Sequence, residues 1–370
     1  MPSEPDLRAM SGRDPNAPIP HIILTGDATA RGLAHGHARR HDIEQAIRIY
    51  ADVFALPDDE VQRAAAHFAD VTRAFAPELV NEMDAIADGA GVPRHWIHAL
   101  NARSELVART QLHANECTAV FLAEHGLLGQ TWDWIEALEP LIGVLDIQYD
   151  DGHRVLTLSE PGIVAKIGLS SAGLGVCLNF LRSPEPVDGV PVHVLLRALL
   201  DLRDPQGMDD LLERAGAGRS AHVLVGTATG EGVGLEFTGR TCHRLAPENG
   251  VITHTNHFLC EDFDAGPNAP NSHARLEQAR AQAGRSNRDW SALHAILADC
   301  SDPMDPISVA YREMPGWEFG CMGTVCALAM DLRSGIMEVR RGPDPKTAWQ
   351  LFDLQDNRPK LAAGDSFGTA

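Results

Sequence analysis

The sequence predicts a layered α+β protein with largely antiparallel sheets. Three observations carry this. Alanine-rich runs of helical spacing fill the first third, and short β-type segments bounded by glycine or turn pairs begin at Cys117. Helices then recur only between blocks of meandering strands, the order expected when helical layers cover antiparallel sheets.

Residues 1–28 read as a flexible N-terminal arm, polar and proline-rich at its start. From Thr29 to Leu106 apolar positions recur at helical spacing: Ile43, Ala46, Ile47, Ile49 and Tyr50, then Val61, Ala64, Ala65, Phe68 and Val71. Pro57 and Pro77 break these helices, and Pro93 stands where another begins, because proline lacks the N–H and crowds the preceding turn. Strands are predicted at 118–123, 127–134, 142–149, 154–159, 163–169 and 174–180, with Asp151-Gly152 marking one hairpin. Helical periodicity returns over 191–216, strands over 221–227, 232–238 and 241–254, helices over 271–299, and a last hairpin over 323–331 and 335–341.

At 370 residues the chain suits one large body or two closely joined ones. With 44% hydrophobic and 22% charged residues it has the make-up of an ordinary globular protein. A net charge of −20 repels phosphate backbones and anionic lipid, which argues against nucleic acid or membrane partners. No apolar run approaches the ~18 residues of a membrane span, and the N-terminus lacks the basic-then-apolar order of a secretory signal, so a cytoplasmic protein is expected. Seven scattered cysteines without a CxxC pair fit neither a disulfide framework nor a thiolate zinc site. His35, His37 and His41, or His254 with His257, form no HExxH pattern and no carboxylate cluster completes a set, so no metal is expected. Gly173-Leu174-Gly175 lacks the rest of a dinucleotide fingerprint, and no cofactor is expected either.

Cys177 and Cys326, inside apolar runs, read as small buried hydrophobes. Cys117 differs by context: it stands at the helical-to-β transition, and a short hairpin through His125-Gly126 returns Asp133, between Trp132 and Trp134, towards it. Strand alternation puts both tryptophans on one face and Asp133 on the other. A free thiol of pKa about 8.5 is only slightly ionised at neutrality and needs a base. If the chain were cut before Cys117, its own new α-amine, of pKa about 7.7–8.0, would serve. Gly168-Leu169-Ser170-Ser171-Ala172-Gly173 suggests a serine elbow, but the residues that follow read as strand rather than helix, so a hairpin turn is the better account.

Asn101-Ala102-Arg103-Ser104-Glu105, Cys117-Thr118, Gly129-Gln130-Thr131-Trp132-Asp133-Trp134, the 168–174 turn with Asn179, and His254-Thr255-Asn256-His257 occur in an order that resembles the acyl-coenzyme A:6-aminopenicillanic acid acyltransferase family of N-terminal-nucleophile hydrolases. The resemblance implies a four-layer αββα sandwich with a mostly helical N-terminal third. It also implies a precursor that cuts itself between Glu116 and Cys117 into a light chain, 1–116, and a heavy chain, 117–370, sharing one catalytic body. Carried over by position, Cys117 would be nucleophile and α-amine base, Asp133 would position the new N-terminus, and Asn256 would donate to the oxyanion. Asn179, Thr118, Trp132, Trp134 and Arg103 are the candidate substrate-binding residues.

Two positions depart from the family pattern. Glu116 stands where glycine is common, and Met322 lies near the place of an arginine, leaving Arg103 as the suggested partner of Asp133. The implied activity is hydrolysis of a linear amide of a small N-acylated compound through a thioester on Cys117. The alternatives are acyl-coenzyme A-dependent transfer at the same site, or an uncut member that only binds a small ligand. The expected partners are the substrate, the two chains of one precursor and, as an open option, a homo-oligomer.

Overall fold

The computed structural model describes residues 16–110, 117–263, 269–285, 288–313 and 320–361. Glu116, one side of the expected cleavage site, lies outside them.

The helical third holds α1 (Ala28–Ala38), α2 (Arg40–Phe54), α3 (Asp58–Phe75), α4 (Pro77–Ala90), α5 (Arg94–Asn101) and α6 (Arg103–Val107), preceded by β1 (His21–Thr25). Asp27 caps α1 by accepting from the Ala30 N–H at 2.8 Å, and Pro77 opens α4 where its missing N–H costs nothing. β1 corrects the expectation of a flexible arm where that arm reaches residues 21–25, while residues 1–15 of it lie outside the described residues. Ile22 and Leu24 are buried, and His21–Thr25 pairs in parallel with residues 144–148.

From Cys117 onward come β2 (Thr118–Leu122), β3 (Leu127–Ile135), β4 (Gly143–Gln148), β5 (Arg154–Ser159), β6 (Ile167–Ser170) and β7 (Leu174–Phe180). The predicted helix over 191–216 is two, α7 (Val192–Leu200) and α8 (Met208–Ala215), separated by a turn that contains Pro205. After β8 (Ser220–Thr227) and β9 (Gly232–Thr238), the predicted strand 241–254 is also two, β10 (Cys242–Leu245) and β11 (Val251–His254). Asn249 and Gly250, with φ of 51° and 77°, take the left-handed conformation that turns the chain from one sheet to the other. Then come α9 (Ala269–Ala283), α10 (Trp290–Leu297), β12 (Arg312–Glu313), β13 (Cys321–Asp331), β14 (Ile336–Arg341) and a terminal hairpin that the sequence reading lacked, β15 (Trp349–Asp353) and β16 (Asp356–Leu361).

One sheet runs β1-β4-β5-β6-β7-β8-β9-β10, and the other runs β11-β2-β3-β13-β14-β15-β16 with β12 on β13. Apart from β1 with β4, the pairings are antiparallel. Three apolar clusters fix the layers. Ala119 and Phe121 of β2 join Leu156, Leu169 and Cys177 in the core between the sheets. Val120 and Leu122, facing the other way, pack with Ala279, Leu293 and Leu297 of α9 and α10. On the far side, Val176 and Leu178 of β7 pack with Leu195 and Leu199 of α7. The result is the αββα sandwich. The Phe121 ring lies against Gly226 and Gly232 of the facing sheet, where a Cβ would come within 2.5 and 2.4 Å of it.

The same central core also contains Ile43, Tyr50, Leu100 and Leu106 from the helical third, so residues on both sides of Cys117 belong to one body. Among the described residues no helix is long and apolar enough to cross a membrane, and no three His, Cys, Asp or Glu side chains are grouped to hold a metal ion.

Candidate active site

Cys117 stands just before β2, at the end of the core between the sheets. It keeps 7% of its surface exposed, whereas Cys177 and Cys326 keep none, so it is the reachable thiol of the three. Thr118 pairs with Thr131, which brings Cys117 alongside the Trp132–Asp133 step of β3. The Cys117 Sγ lies 3.9 Å from the Asp133 carbonyl oxygen. Burial first, and then the nearby Asp133 charge, push the thiol up to about 11, against the opposing pull of Lys166 and Arg275.

Two donors hold the Cys117 carbonyl: Asn179 Nδ2 at 3.1 Å, reaching across from β7, and Arg275 Nη1 at 2.9 Å, from α9. The Asn179 Oδ1 accepts from His222 Nδ1 at 2.9 Å, which fixes the direction of the amide. His222 stacks on His254 with 3.6 Å between ring centroids, and His254 Nε2 meets Glu236 Oε1 at 2.7 Å. Glu236 also accepts from the Leu259 and Cys260 N–H groups at 2.7 and 3.0 Å, closing the loop that carries Asn256. Burial, then the charge of His254, drive His222 far below its ordinary range, so it is neutral.

Asn256 is buried. Its backbone N–H donates to Ser272 Oγ at 2.9 Å, its Nδ2 donates to the Phe180 carbonyl at 3.0 Å, and its Oδ1 accepts from Arg275 Nη2 at 3.2 Å. Arg275 Nη1 also reaches Thr118 Oγ1 at 3.0 Å. The adjacent Cys117 and Thr118 therefore meet Asn256, distant in sequence, on one guanidinium.

Trp132 and Trp134 are buried on the face turned towards the facing sheet, as alternation requires. Arg103 lies over the Trp134 ring, but Glu160 holds its guanidinium, at 2.9 Å from Nε and 2.7 Å from Nη2. This corrects the suggestion that Arg103 pairs with Asp133. Glu160 also takes Lys166 Nζ at 2.9 Å and the Tyr50 hydroxyl, and Lys166 sits over the Trp132 ring. Burial alone would raise Glu160, yet Arg103 and Lys166 hold it down to about 2. Burial pushes Lys166 down to about 7 despite Glu160.

Arg275, Asn179's partner His222, Glu236, Glu160 and Lys166 were not singled out by the sequence. The signal for Arg275 was faint: Ser272, Arg275, Leu276, Ala279 and Ala283 all lie on the buried stripe of α9, so one charged residue interrupts small and apolar ones. Met322 is buried and pairs with Ile135. Ser170 ends β6 and a turn at Gly173, φ 72°, leads directly into β7, so the serines sit on a hairpin and not at an elbow. Exposed Ser171 accepts from the Arg154 N–H at 2.9 Å and lies 3.2 Å from His153 Nδ1, while His153 Nε2 meets the Leu200 carbonyl at 2.8 Å.

A family model described as acyl-coenzyme A:6-aminopenicillanic acid acyl-transferase matches residues 123–343, more than half of the chain. The 40 kDa form of acyl-coenzyme A:6-aminopenicillanic-acid-acyltransferase from Emericella nidulans is 28% identical over 273 residues, 70% of this chain and 76% of that protein. Among solved structures, a mutant conjugated bile acid hydrolase from Clostridium perfringens is 14% identical with a TM-score of 0.47, covering 67% of this chain and 97% of its own. Penicillin V acylase from Agrobacterium tumefaciens is 13% identical with a TM-score of 0.43, covering 65% and 92%. The matched stretch contains Asp133, Asn179, Asn256 and Arg275, and the chain belongs to the acyl-coenzyme A:6-aminopenicillanic acid acyltransferase family.

Proposed function

We propose that this chain is a self-processing cysteine amidohydrolase that cleaves the linear amide of a small N-acylated compound through a thioester on Cys117. The observation that carries the reading is the meeting of the one partly exposed core thiol, Cys117, with Asn256 through Arg275. In the precursor, Sγ attacks the Glu116 carbonyl carbon and displaces the Cys117 nitrogen. Water then hydrolyses the resulting thioester, leaving a Glu116 carboxylate, the free Cys117 thiol and its free α-amine.

In the cut enzyme this amine, held by Asp133, takes the thiol proton. The thiolate attacks the substrate carbonyl, and the oxyanion receives an Asn256 N–H and a backbone N–H. Asn256 donates one of its two amide hydrogens to the Phe180 carbonyl, and the second is the one assigned to the oxyanion. The ammonium protonates the leaving amine, and water releases the acid from the thioester. If a second amine takes the acyl group in place of water, the same site performs the transfer for which the Emericella nidulans relative is named. The acidic net charge of −20 disfavours a polyanionic acyl donor and favours hydrolysis.

A panel of N-acyl amino acids, N-acyl amines and acyl thioesters, assayed with wild type and Cys117→Ala, tests this. The reading expects amide hydrolysis by the wild type and none by the variant, whose chain stays at 370 residues. Turnover surviving in Cys117→Ala would overturn it.

A further inference from the structure

Arg275 stands out as a fully buried side chain that ties together groups from three separate elements. It is 0% exposed, and taking a guanidinium out of water is costly unless its hydrogens find acceptors. Its Nε donates to Asn271 Oδ1 at 2.8 Å, one helical turn earlier on α9. Its Nη1 donates to the Cys117 carbonyl and Thr118 Oγ1, and its Nη2 to Asn256 Oδ1.

We propose that Arg275 is a positioning residue that sets the nucleophile and the oxyanion donor at a fixed separation, a role that rests on the reading of Cys117 and Asn256 given above. Arginine has only donors, so the Asn256 face turned to it must be the carbonyl oxygen, and the amide nitrogen must point away. A flipped amide would set N–H against N–H. At the other end of the same fork, the Cys117 carbonyl is pinned between Arg275 and Asn179, whose own direction is set by His222.

Cleavage before Cys117 frees its nitrogen but leaves its carbonyl in place, so the pin survives maturation. The first turn of α9 supports the arrangement, since Ser272 accepts from the Asn256 N–H at 2.9 Å and its hydroxyl meets Thr255 Oγ1 at 3.0 Å. A lysine could not replace Arg275, because one ammonium cannot present two donors to Cys117 and Thr118 and a third to Asn256 from a planar fork.

The test is a double-mutant cycle in the full chain: wild type, Arg275→Met, Asn256→Ala and the double variant. kcat and KM are measured on the amide that the wild type turns over fastest, and normalised to cut enzyme by intact mass. If Arg275 acts through Asn256, Arg275→Met lowers kcat by about 10²-fold with KM within about threefold, and costs less than about fivefold once Asn256 is already alanine. Multiplicative losses in the double variant, or an unchanged kcat in Arg275→Met, would overturn the inference.

Arg275→Lys keeps the charge and guards against a variant that does not fold. It is expected to unfold within a few degrees of wild type yet still to lose at least about tenfold in kcat, and full activity in it contradicts the fork. Iodoacetamide separates this inference from the reading beneath it. Should the wild type hydrolyse no amide, the functional reading fails, while slowing of Cys117 alkylation by at least about tenfold at pH 8 in Arg275→Met still supports the pin. Equal alkylation rates overturn it.

Discussion

Replacing Glu160 by glutamine removes the carboxylate that holds both Arg103 and Lys166, while keeping the shape of the side chain. Glu160 is 2% exposed, Arg103 5% and Lys166 1%, so solvent screens little of the loss. Breaking a buried ion pair by neutralising one partner costs about 3–5 kcal/mol, because the remaining charge is left without compensation. An unfolding entropy of about 2.1 cal/mol/K per residue gives about 0.8 kcal/mol/K for a chain of 370 residues, so the midpoint should fall by about 4–6 °C.

The pH dependence follows from Lys166. Its folded pKa of about 7 lies below its ordinary 10.5, so between those values the unfolded chain binds the extra proton and stability rises with pH. Glu160→Gln extends that rise to lower pH, and Lys166→Met removes this contribution. The assay is thermal and urea unfolding followed by tryptophan fluorescence at several pH values, with the double variant Glu160→Gln/Lys166→Met included. A loss of under 1 °C in Glu160→Gln, or a double variant that loses the full sum of the single effects, would refute the claim that these groups form one compensated cluster.

Asn256→Ala should lower kcat by about 10²- to 10³-fold with little change in KM, measured under saturating and limiting substrate. In the uncut chain the Cys117 thiol is pushed up to about 11, so its alkylation by iodoacetamide should keep rising from pH 7 to 10. Cut chains in the same sample, quantified separately by intact mass, should level off earlier, and a plateau near pH 8 in uncut chains contradicts the prediction. Gly36→Ala should destabilise the fold by at least about 2 kcal/mol in urea, because a Cβ there meets the Ile86 carbonyl oxygen at 2.2 Å where α1 packs on α4.

The site was legible where its residues sit in local motifs. Asp133 could be placed because a short hairpin pairs its strand with the one that follows Cys117, and the flanking tryptophans fixed which way it faces. Asn256 was found through the His254-Thr255-Asn256-His257 string and the resemblance. The residues that hold these groups were not legible, because they come from far along the chain and look ordinary there. Arg275 is one charge in a polar helix, His222 lies in an apolar strand, and Glu160 and Lys166 flank a loop. Their partners are fixed only when the two sheets stack.

The same limit applies to the fold. Helix and strand periodicity located the layers, but β1 resembled an arm because its order comes from pairing with β4 and from burial of Ile22 and Leu24, both made with residues far along the chain. The 241–254 run read as one strand because the Asn249-Gly250 turn lies inside an otherwise β-like stretch. His35, met in the sequence only as one of three nearby histidines, lies inside α1, where it is buried and accepts from the Gly162 N–H at 3.3 Å.

The most direct measurement is mass spectrometry of the protein quenched in acid during turnover of an amide. The account predicts a heavy chain that begins at Cys117 and carries the substrate's acyl mass on that residue, removable by hydroxylamine. A full-length chain without the added mass, or an acyl group found on Ser170 or Ser171, would contradict it.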